Sequence, residues 1–268
     1  MKNLVFLLLL VLTFASCSEY QKVLNKGTIP EQYKMAESLY EAKKYSKALT
    51  LFEKVTPAFR GKPQLQRIQF MVANANYQTK SYELSSYYFN RFINNYPNST
   101  KLEEANFLVS QSYYKASPVY SLDQKDSQKA LTSLQAYLDR YPESENNALI
   151  NNQYQELTVK LEKKAFEIAK QYYKTEHFNS AIKALDIFIS EYLGTKYKEE
   201  ALFYIFKSGY DLSIKSVYSK KEQRLNDALK YYKRFLKYYP KSEYLSESED
   251  MVAKINSELE KFNPTNSK

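Results

Sequence analysis

One short element recurs down this chain: an aromatic residue, a small side chain three positions on, and a second large apolar residue four beyond that. It reads Tyr45, Ala48, Phe52, then Tyr82, Ser85, Phe89, then Phe178, Ala181, Leu185, with two more copies around Ala130 and Ala228. The small positions 48, 85, 130, 181 and 228 lie 37, 45, 51 and 47 residues apart. Self-similarity at such a period restricts a fold to stacked units, none of which can bury its apolar face alone. Within a unit the apolar spacing is helical: Phe178, Ala181, Ile182, Leu185, Phe188 and Ile189 share one face. Leu157, Leu161, Ala165, Ile168, Ala169 and Tyr172 predict the helix before it. No period-2 strand pattern competes, and 4 Gly with 8 Pro are too few for the many tight turns of an all-β chain.

The second helices carry their own stop signal. Tyr96-Pro97, Tyr141-Pro142 and Tyr239-Pro240 each close one, because the proline ring clashes with the preceding turn, and Tyr192-Leu193 closes a fourth. Downstream, Thr100-Lys101-Leu102-Glu103 has the form of a capping box and predicts a new helix start. Ala36, Ala73 and Ala169 are expected to face Ala48, Ser85 and Ala181, letting paired axes approach closely while aromatics fill the gaps. The fold class is therefore all-α, a superhelical array of about five tetratricopeptide-like helix pairs. Their approximate bounds are 31–63, 64–99, 100–144, 152–195 and 196–262, within a repeat domain of 31–262. Ser117 to Ser127 and Ser213 to Arg224 are expected to project as loops.

Ahead of the repeats, Lys2 is followed by nine apolar residues, Leu4 to Leu12, then Ala15 and Ser16 before Cys17. Residues 1–16 read as an export signal, since the apolar run is about half of the ~20 residues a spanning helix needs. Phe14-Ala15-Ser16-Cys17 resembles the lipobox of bacterial lipoproteins, and Cys17 is the chain's single cysteine. That resemblance implies Cys17 as the mature N-terminus, bearing S-diacylglycerol and N-palmitoyl groups, with residues 17–30 as a lipidated tether. Several acyl chains anchor stably where a single chain does not. The chain carries 39 Lys and Arg against 30 acids, but an exported protein does not meet cytosolic nucleic acid, so no nucleic-acid partner is expected.

The lipobox, the segment Ser18-Glu19-Tyr20-Gln21-Lys22-Val23-Leu24 and the helix ending Tyr88-Phe89-x-x-Phe92-Ile93-x-x-Tyr96-Pro97-x-Ser99 together resemble the YfiO-type lipoproteins, the BamD family of the β-barrel assembly machine. Tyr137-Leu138-x-x-Tyr141-Pro142-x-Ser144 and Phe235-Leu236-x-x-Tyr239-Pro240-x-Ser242 repeat that family's helix end, and Ser117-Pro118-x-Tyr120-Ser121-Leu122-Asp123-Gln124 is similar to its third-repeat loop. The copy at Tyr192-Leu193-Gly194-Thr195 lacks the Pro and the Ser. The resemblance spans residues 17 to about 255. It implies a lipoprotein on the periplasmic face of the outer membrane, acting without catalysis as scaffold and receptor in outer-membrane protein assembly. The implied partners are the periplasmic domains of a BamA-like barrel insertase, unfolded barrel proteins, and the membrane through the lipid anchor. No cofactor beyond the lipid at Cys17 is implied.

The remaining residues fit a non-enzyme. A lone His177 between two helices has no second histidine for a metal site and no nucleophile to serve as base, so neither catalytic nor metal residues are assigned. The pairs Glu103-Glu104 and Glu199-Glu200 fall in first helical turns, where the helix dipole favours negative charge. Of the 27 Tyr, Tyr96, Tyr141 and Tyr239 read as packed helix ends and Tyr45 as repeat core. Tyr33, Tyr40, Tyr77 and Tyr82 are the candidates for a peptide-binding groove, although Tyr40 and Tyr77 also fit the core. Lys215, Lys220, Lys221 and Arg224 form a candidate basic contact loop. Two other functions fit the same composition: a tetratricopeptide envelope lipoprotein coordinating cell division or peptidoglycan, and a glycan-binding lipoprotein. The second is disfavoured by the absence of Trp.

Overall fold

The computed structural model describes residues 19–262, so Cys17 and the expected signal peptide lie outside the described residues. Every regular element among the described residues is helical. A short helical segment over 19–26 precedes α1 (Ile29–Glu41), α2 (Tyr45–Val55), α3 (Gln64–Gln78), α4 (Tyr82–Asn95), α5 (Leu102–Ala116) and α6 (Lys125–Arg140). Then follow α7 (Asn147–Lys174), α8 (Phe178–Glu191), α9 (Lys198–Ile214), α10 (Tyr218–Tyr238) and α11 (Leu245–Glu260). Consecutive helices make five pairs, with α11 after the fifth. The chain divides into two compact units, Met1–Leu157 and Thr158–Lys268.

The first unit is built on three apolar clusters, around Leu51, Phe52 and Ile68, around Phe89, Phe92 and Val109, and around Leu134, Tyr137 and Ile150. The second has one large cluster, in which Phe166, Leu185 and Phe188 join Phe203, Phe206 and Phe235. The small repeat positions Ala48, Ser85, Ala130, Ala181 and Ala228 are fully buried, as are Phe52, Phe89, Leu134 and Leu185 four residues on. Burying such a side chain contributes about 1.5–3 kcal/mol, so the repeating element is where folding free energy concentrates. The face predicted for α8 is buried at all six positions. Of the face predicted for α7, Leu157 and Ala169 are buried and Leu161 and Ala165 half-buried, but Ile168 and Tyr172 are exposed, and Phe166 and Tyr173 turn inward in their place.

Two kinds of turn recur. The first helices α1, α3 and α7 end on Schellman motifs. In α1 the Lys44 N–H reaches the Leu39 carbonyl and the Lys43 N–H that of Tyr40; Ser81 to Asn76 with Lys80 to Tyr77, and His177 to Tyr172 with Glu176 to Tyr173, repeat the pattern. The left-handed position is held by non-glycine residues, Lys43, Lys80 and Glu176, at φ 58°, 62° and 60°. An aromatic pair brackets each turn: Tyr40 with Tyr45 at 5.5 Å, Tyr77 with Tyr82 at 5.7 Å, Tyr173 with Phe178 at 5.8 Å.

Four of the second helices end where the sequence predicts, with Tyr96, Tyr141, Tyr192 and Tyr239 as C-caps. Each ring packs on the aromatic one turn back, Phe92, Tyr137, Phe188 or Phe235. Each Tyr carbonyl accepts the N–H three residues on, from Ser99, Ser144, Thr195 or Ser242. The hydroxyl of that Ser or Thr accepts a further N–H two residues later, from Lys101, Asn146, Tyr197 or Tyr244 at 3.0–3.3 Å. The next helix starts there. The copy that lacks Pro therefore keeps its turn, with Thr195 in place of Ser and Gly194 at φ 81°.

The structure corrects the start of α5. Its N-cap is Lys101 without a side-chain cap, and Ser99 rather than Thr100 supplies the hydroxyl, so no capping box forms there. A capping box does form at α1, where the Thr28 N–H donates to Glu31 Oε2 at 2.8 Å. The expected tether of 17–30 is partly folded. Helix 19–26 buries Tyr20, and Gln32 Nε2 donates to the Val23 carbonyl at 3.2 Å while Lys54 Nζ donates to that of Leu24 at 2.8 Å. The expected loop at Ser117–Ser127 runs from Ser117 to Gln124, after which α6 begins.

Thr195→Val, which keeps the shape but removes the acceptor for the Tyr197 N–H, should lower unfolding free energy by about 1 kcal/mol in urea titration. Lys80→Gly, which relieves a left-handed side chain, should raise it by about 0.5–1 kcal/mol in the same assay.

Candidate functional site

In the first unit the second helices α4 and α6 flank α5 and leave an open groove of about 540 Å³ along it. One wall is Asn90 of α4, the floor Asn106, Val109 and Tyr113 of α5, and the other wall Gln128, Lys129 and Thr132 of α6. The amides are oriented by the helices beneath them: Asn90 Nδ2 donates to the Ser86 carbonyl at 2.8 Å and to the Tyr113 hydroxyl at 3.4 Å. Asn106 Nδ2 donates to the Leu102 carbonyl at 2.7 Å and to the Tyr141 hydroxyl at 3.1 Å. At its rim Tyr87 is more than half exposed, and Lys129 pairs with Asp126 at 2.8 Å. Aromatic and aliphatic surface beside amide and hydroxyl groups suits an extended peptide, whose backbone needs hydrogen-bond partners and whose side chains need apolar contact.

The tyrosines expected in a groove are elsewhere. Tyr33 packs on Phe59 at 4.9 Å and donates to Glu37 Oε1 at 2.7 Å; partial burial, then that hydrogen bond, pushes the phenol up to about 12. Tyr40 lies between Tyr45 and Phe52 and accepts a hydrogen bond from Asn74. Tyr77 packs on Tyr82. Tyr40 with Tyr45 and Tyr77 with Tyr82 are successive copies of one turn, so these rings are engaged in packing within their own pairs. The groove uses Tyr113 and Tyr87 in their place. Neither is legible in the sequence, because the site arises from three separate helices brought together only by packing.

The basic residues are not a loop. Lys215 caps α9 and pairs with Glu176 at 2.8 Å, while Lys220, Lys221 and Arg224 lie in the first two turns of α10. Lys221 binds Glu258 of α11 at 2.6 Å, and Arg224 Nη1 donates to Ser216 Oγ at 2.7 Å. The hydrogen bond from Lys221, seconded by Lys261, draws the Glu258 carboxyl down to about 2. The physical reason is local: extended Val217 supplies the N-cap, and the Lys, Glu, Gln, Arg and Leu that follow are strong helix formers. His177 N-caps α8, its Nδ1 3.1 Å from Thr175 Oγ1.

First helices of neighbouring pairs are joined by polar contacts. In the first unit Gln111 and Gln153 exchange amide hydrogen bonds at 2.7 and 2.9 Å, both buried, and the Tyr114 hydroxyl donates to Glu156. That bond, more than burial, pushes the Tyr114 phenol up to about 12. In the second unit Lys170 pairs with Glu200, the Tyr173 hydroxyl donates to Asp211 at 2.9 Å, and Lys207 pairs with Glu247 at 2.5 Å. Glu103, Glu104, Glu199 and Glu200 occupy first turns of α5 and α9, as expected. Among the described residues no cluster of three His, Cys, Asp or Glu has metal-binding geometry, and no helix is long and apolar enough to cross a membrane.

Gln153→Leu alone should destabilise the protein by about 1–3 kcal/mol by stranding the Gln111 amide, whereas Gln111→Leu with Gln153→Leu should be nearly neutral in the same denaturation series. A phenol raised in the folded state stabilises fully below its ordinary value and loses that contribution as pH rises through the shifted one. Stability should therefore fall between about pH 10 and 12, and less steeply in Tyr114→Phe, by denaturation across that range.

The sequence profile of the YfiO family, described as outer membrane lipoprotein, matches residues 26–225, and a tetratricopeptide repeat profile matches residues 215–242. No curated protein matches. A solved tetratricopeptide repeat protein from Bacteroides fragilis NCTC 9343 is similar at 14% identity over 86% of this chain and 98% of that one, with a TM-score of 0.37. A thermophilic tetratricopeptide protein from Thermus thermophilus is similar at 16% identity over 86% and 98%, with a TM-score of 0.31.

Proposed function

The chain belongs to the YfiO family of outer membrane lipoproteins, and from that premise we propose that it is a non-catalytic subunit of the machinery that folds and inserts outer-membrane β-barrel proteins. The observation that carries this reading is the family match across most of a chain built of tetratricopeptide-type helix pairs. Such pairs present helix-lined grooves rather than reactive centres, and the α4–α5–α6 groove has the chemistry of a peptide-binding surface. Lipid attached at Cys17 holds the chain on the periplasmic face of the outer membrane, with no other cofactor. The periplasmic domains of a BamA-like insertase are the scaffold partner, and unfolded barrel proteins are the clients.

Native purification of the lipidated protein from detergent-solubilised outer membrane, beside Cys17→Ala, tests the reading. Recovery of a large barrel insertase with periplasmic repeat domains is expected, and its loss from the membrane fraction in Cys17→Ala. Peptidoglycan or division proteins in its place would overturn it. Tyr87→Ala combined with Asn90→Ala should weaken binding of a barrel-protein C-terminal peptide by roughly tenfold while leaving thermal stability unchanged.

A further inference from the structure

One end of the second unit, where α8 and α10 finish and α9 begins, carries an apolar surface that neither the repeat packing nor the groove uses. At its tip is Leu193, 87% exposed, at the position where the other three turns have Pro. Gly194, at φ 81°, turns the chain immediately after it, so the side chain stands out on a tight, helix-anchored bend. Ile187 and Tyr238 are more than half exposed in or near the last turns of α8 and α10, and Leu236 is also exposed in the last turn of α10. Two contacts join the parts: Lys198 Nζ lies 4.4 Å from the Tyr238 ring centroid, and Arg234 of α10 pairs with Asp186 of α8 at 2.5 Å. Along the chain, Lys196 and Lys198 follow Leu193 and Lys233, Lys237 and Lys241 flank Tyr238, against Glu191, Glu199 and Glu243. None of these lysines has an ion-pair partner among the described residues. The three sister turns present Pro97, Pro142 and Pro240 to solvent at this position. Here a leucine is displayed, with a tyrosine and a cationic rim.

We infer that this end of the second unit is a membrane-contact surface, seating Leu193 and Tyr238 in the interfacial region of a bilayer while its lysines meet anionic lipid headgroups. Each component has a physical role: exposed aliphatic surface on a rigid turn partitions out of water, an amphipathic phenol suits the headgroup level, and lysine stems reach anionic phosphates from an apolar base. Charge complementarity favours the anionic bilayer, and membership in a family of outer membrane lipoproteins puts a bilayer within reach. The inference does not depend on the assembly role proposed above.

The test uses the mature-length chain carrying Cys17→Ala, so that no attached lipid contributes, and co-sedimentation with vesicles of phosphatidylethanolamine and phosphatidylglycerol or of phosphatidylcholine alone. Binding to the anionic vesicles is expected, declining with salt and weak on phosphatidylcholine. Leu193→Pro, which restores the sequence of the sister turns, and Leu193→Ser should each reduce binding at least ~5-fold, with helical circular dichroism unchanged. Lys237→Glu with Lys241→Glu should reduce it roughly tenfold or more. No binding to anionic vesicles, or binding unaltered in these variants, would overturn the inference. So would variants that spare vesicle binding but lose a protein recovered from solubilised outer membrane, which would make the surface a protein dock.

Discussion

A single local arrangement sets the geometry on which the rest depends: a tyrosine carbonyl that accepts the N–H three residues on, and a Ser or Thr hydroxyl there that accepts another two residues later. In Tyr96 to Lys101, Tyr141 to Asn146, Tyr192 to Tyr197 and Tyr239 to Tyr244 it satisfies donors and acceptors that a helix end and a helix start would leave unpaired. The tyrosine ring meanwhile leans on the aromatic one turn back. Stop, reversal and restart are thus fixed by groups within six residues, before any long-range contact forms. The α4–α5–α6 groove inherits its walls from this, since α5 begins at one such turn and α6 ends at the next.

Tyrosine's abundance follows from the double use made of it. Rings of Tyr40, Tyr77 and Tyr173 fill the aromatic brackets of the Schellman turns, while the hydroxyls of Tyr40, Tyr114 and Tyr173 bind Asn74, Glu156 and Asp211 on the next first helix. Tyr137 is almost wholly buried in its ring, yet its hydroxyl meets Ser144 at 2.7 Å and Glu103 at 3.2 Å. Phenylalanine would keep the packing and lose the cross-link; tryptophan would overfill the space between closely approaching helices. These partly buried polar links align neighbouring pairs, whereas exposed pairs such as Lys230 with Asp227 contribute little.

The parts legible in the sequence are those decided by near neighbours. Pro97, Pro142 and Pro240 stop the helices that precede them, and the six-residue face of α8 follows from one helical period. Sequence and structure part where two local solutions compete. Ser99 and Thr100 are adjacent hydroxyls, and only the backbone path decides which reaches a free N–H. In α7, a helix of 28 residues, Ile168 and Tyr172 extend the apolar stripe through Ala169 as plausibly as Phe166 and Tyr173, which the packing selects. The charge of Lys220, Lys221 and Arg224 suggests a loop, although their helix propensity is high. The groove is illegible for a different reason: Asn90, Tyr113 and Gln128 are ordinary surface residues of separate helices until packing brings them together.

The Ser/Thr turn also bears on how such a chain can change over generations. Because start and stop are encoded within a hexapeptide, the stretch between one turn and the next is free to lengthen, and the intervals of 37 to 51 residues between repeat positions record that freedom. An insertion such as Ser117–Gln124 is absorbed without shifting the phase of either flanking helix. Each unit behaves as a self-punctuating word, so loops and surface residues can diversify one pair at a time while the grammar of the array stays intact.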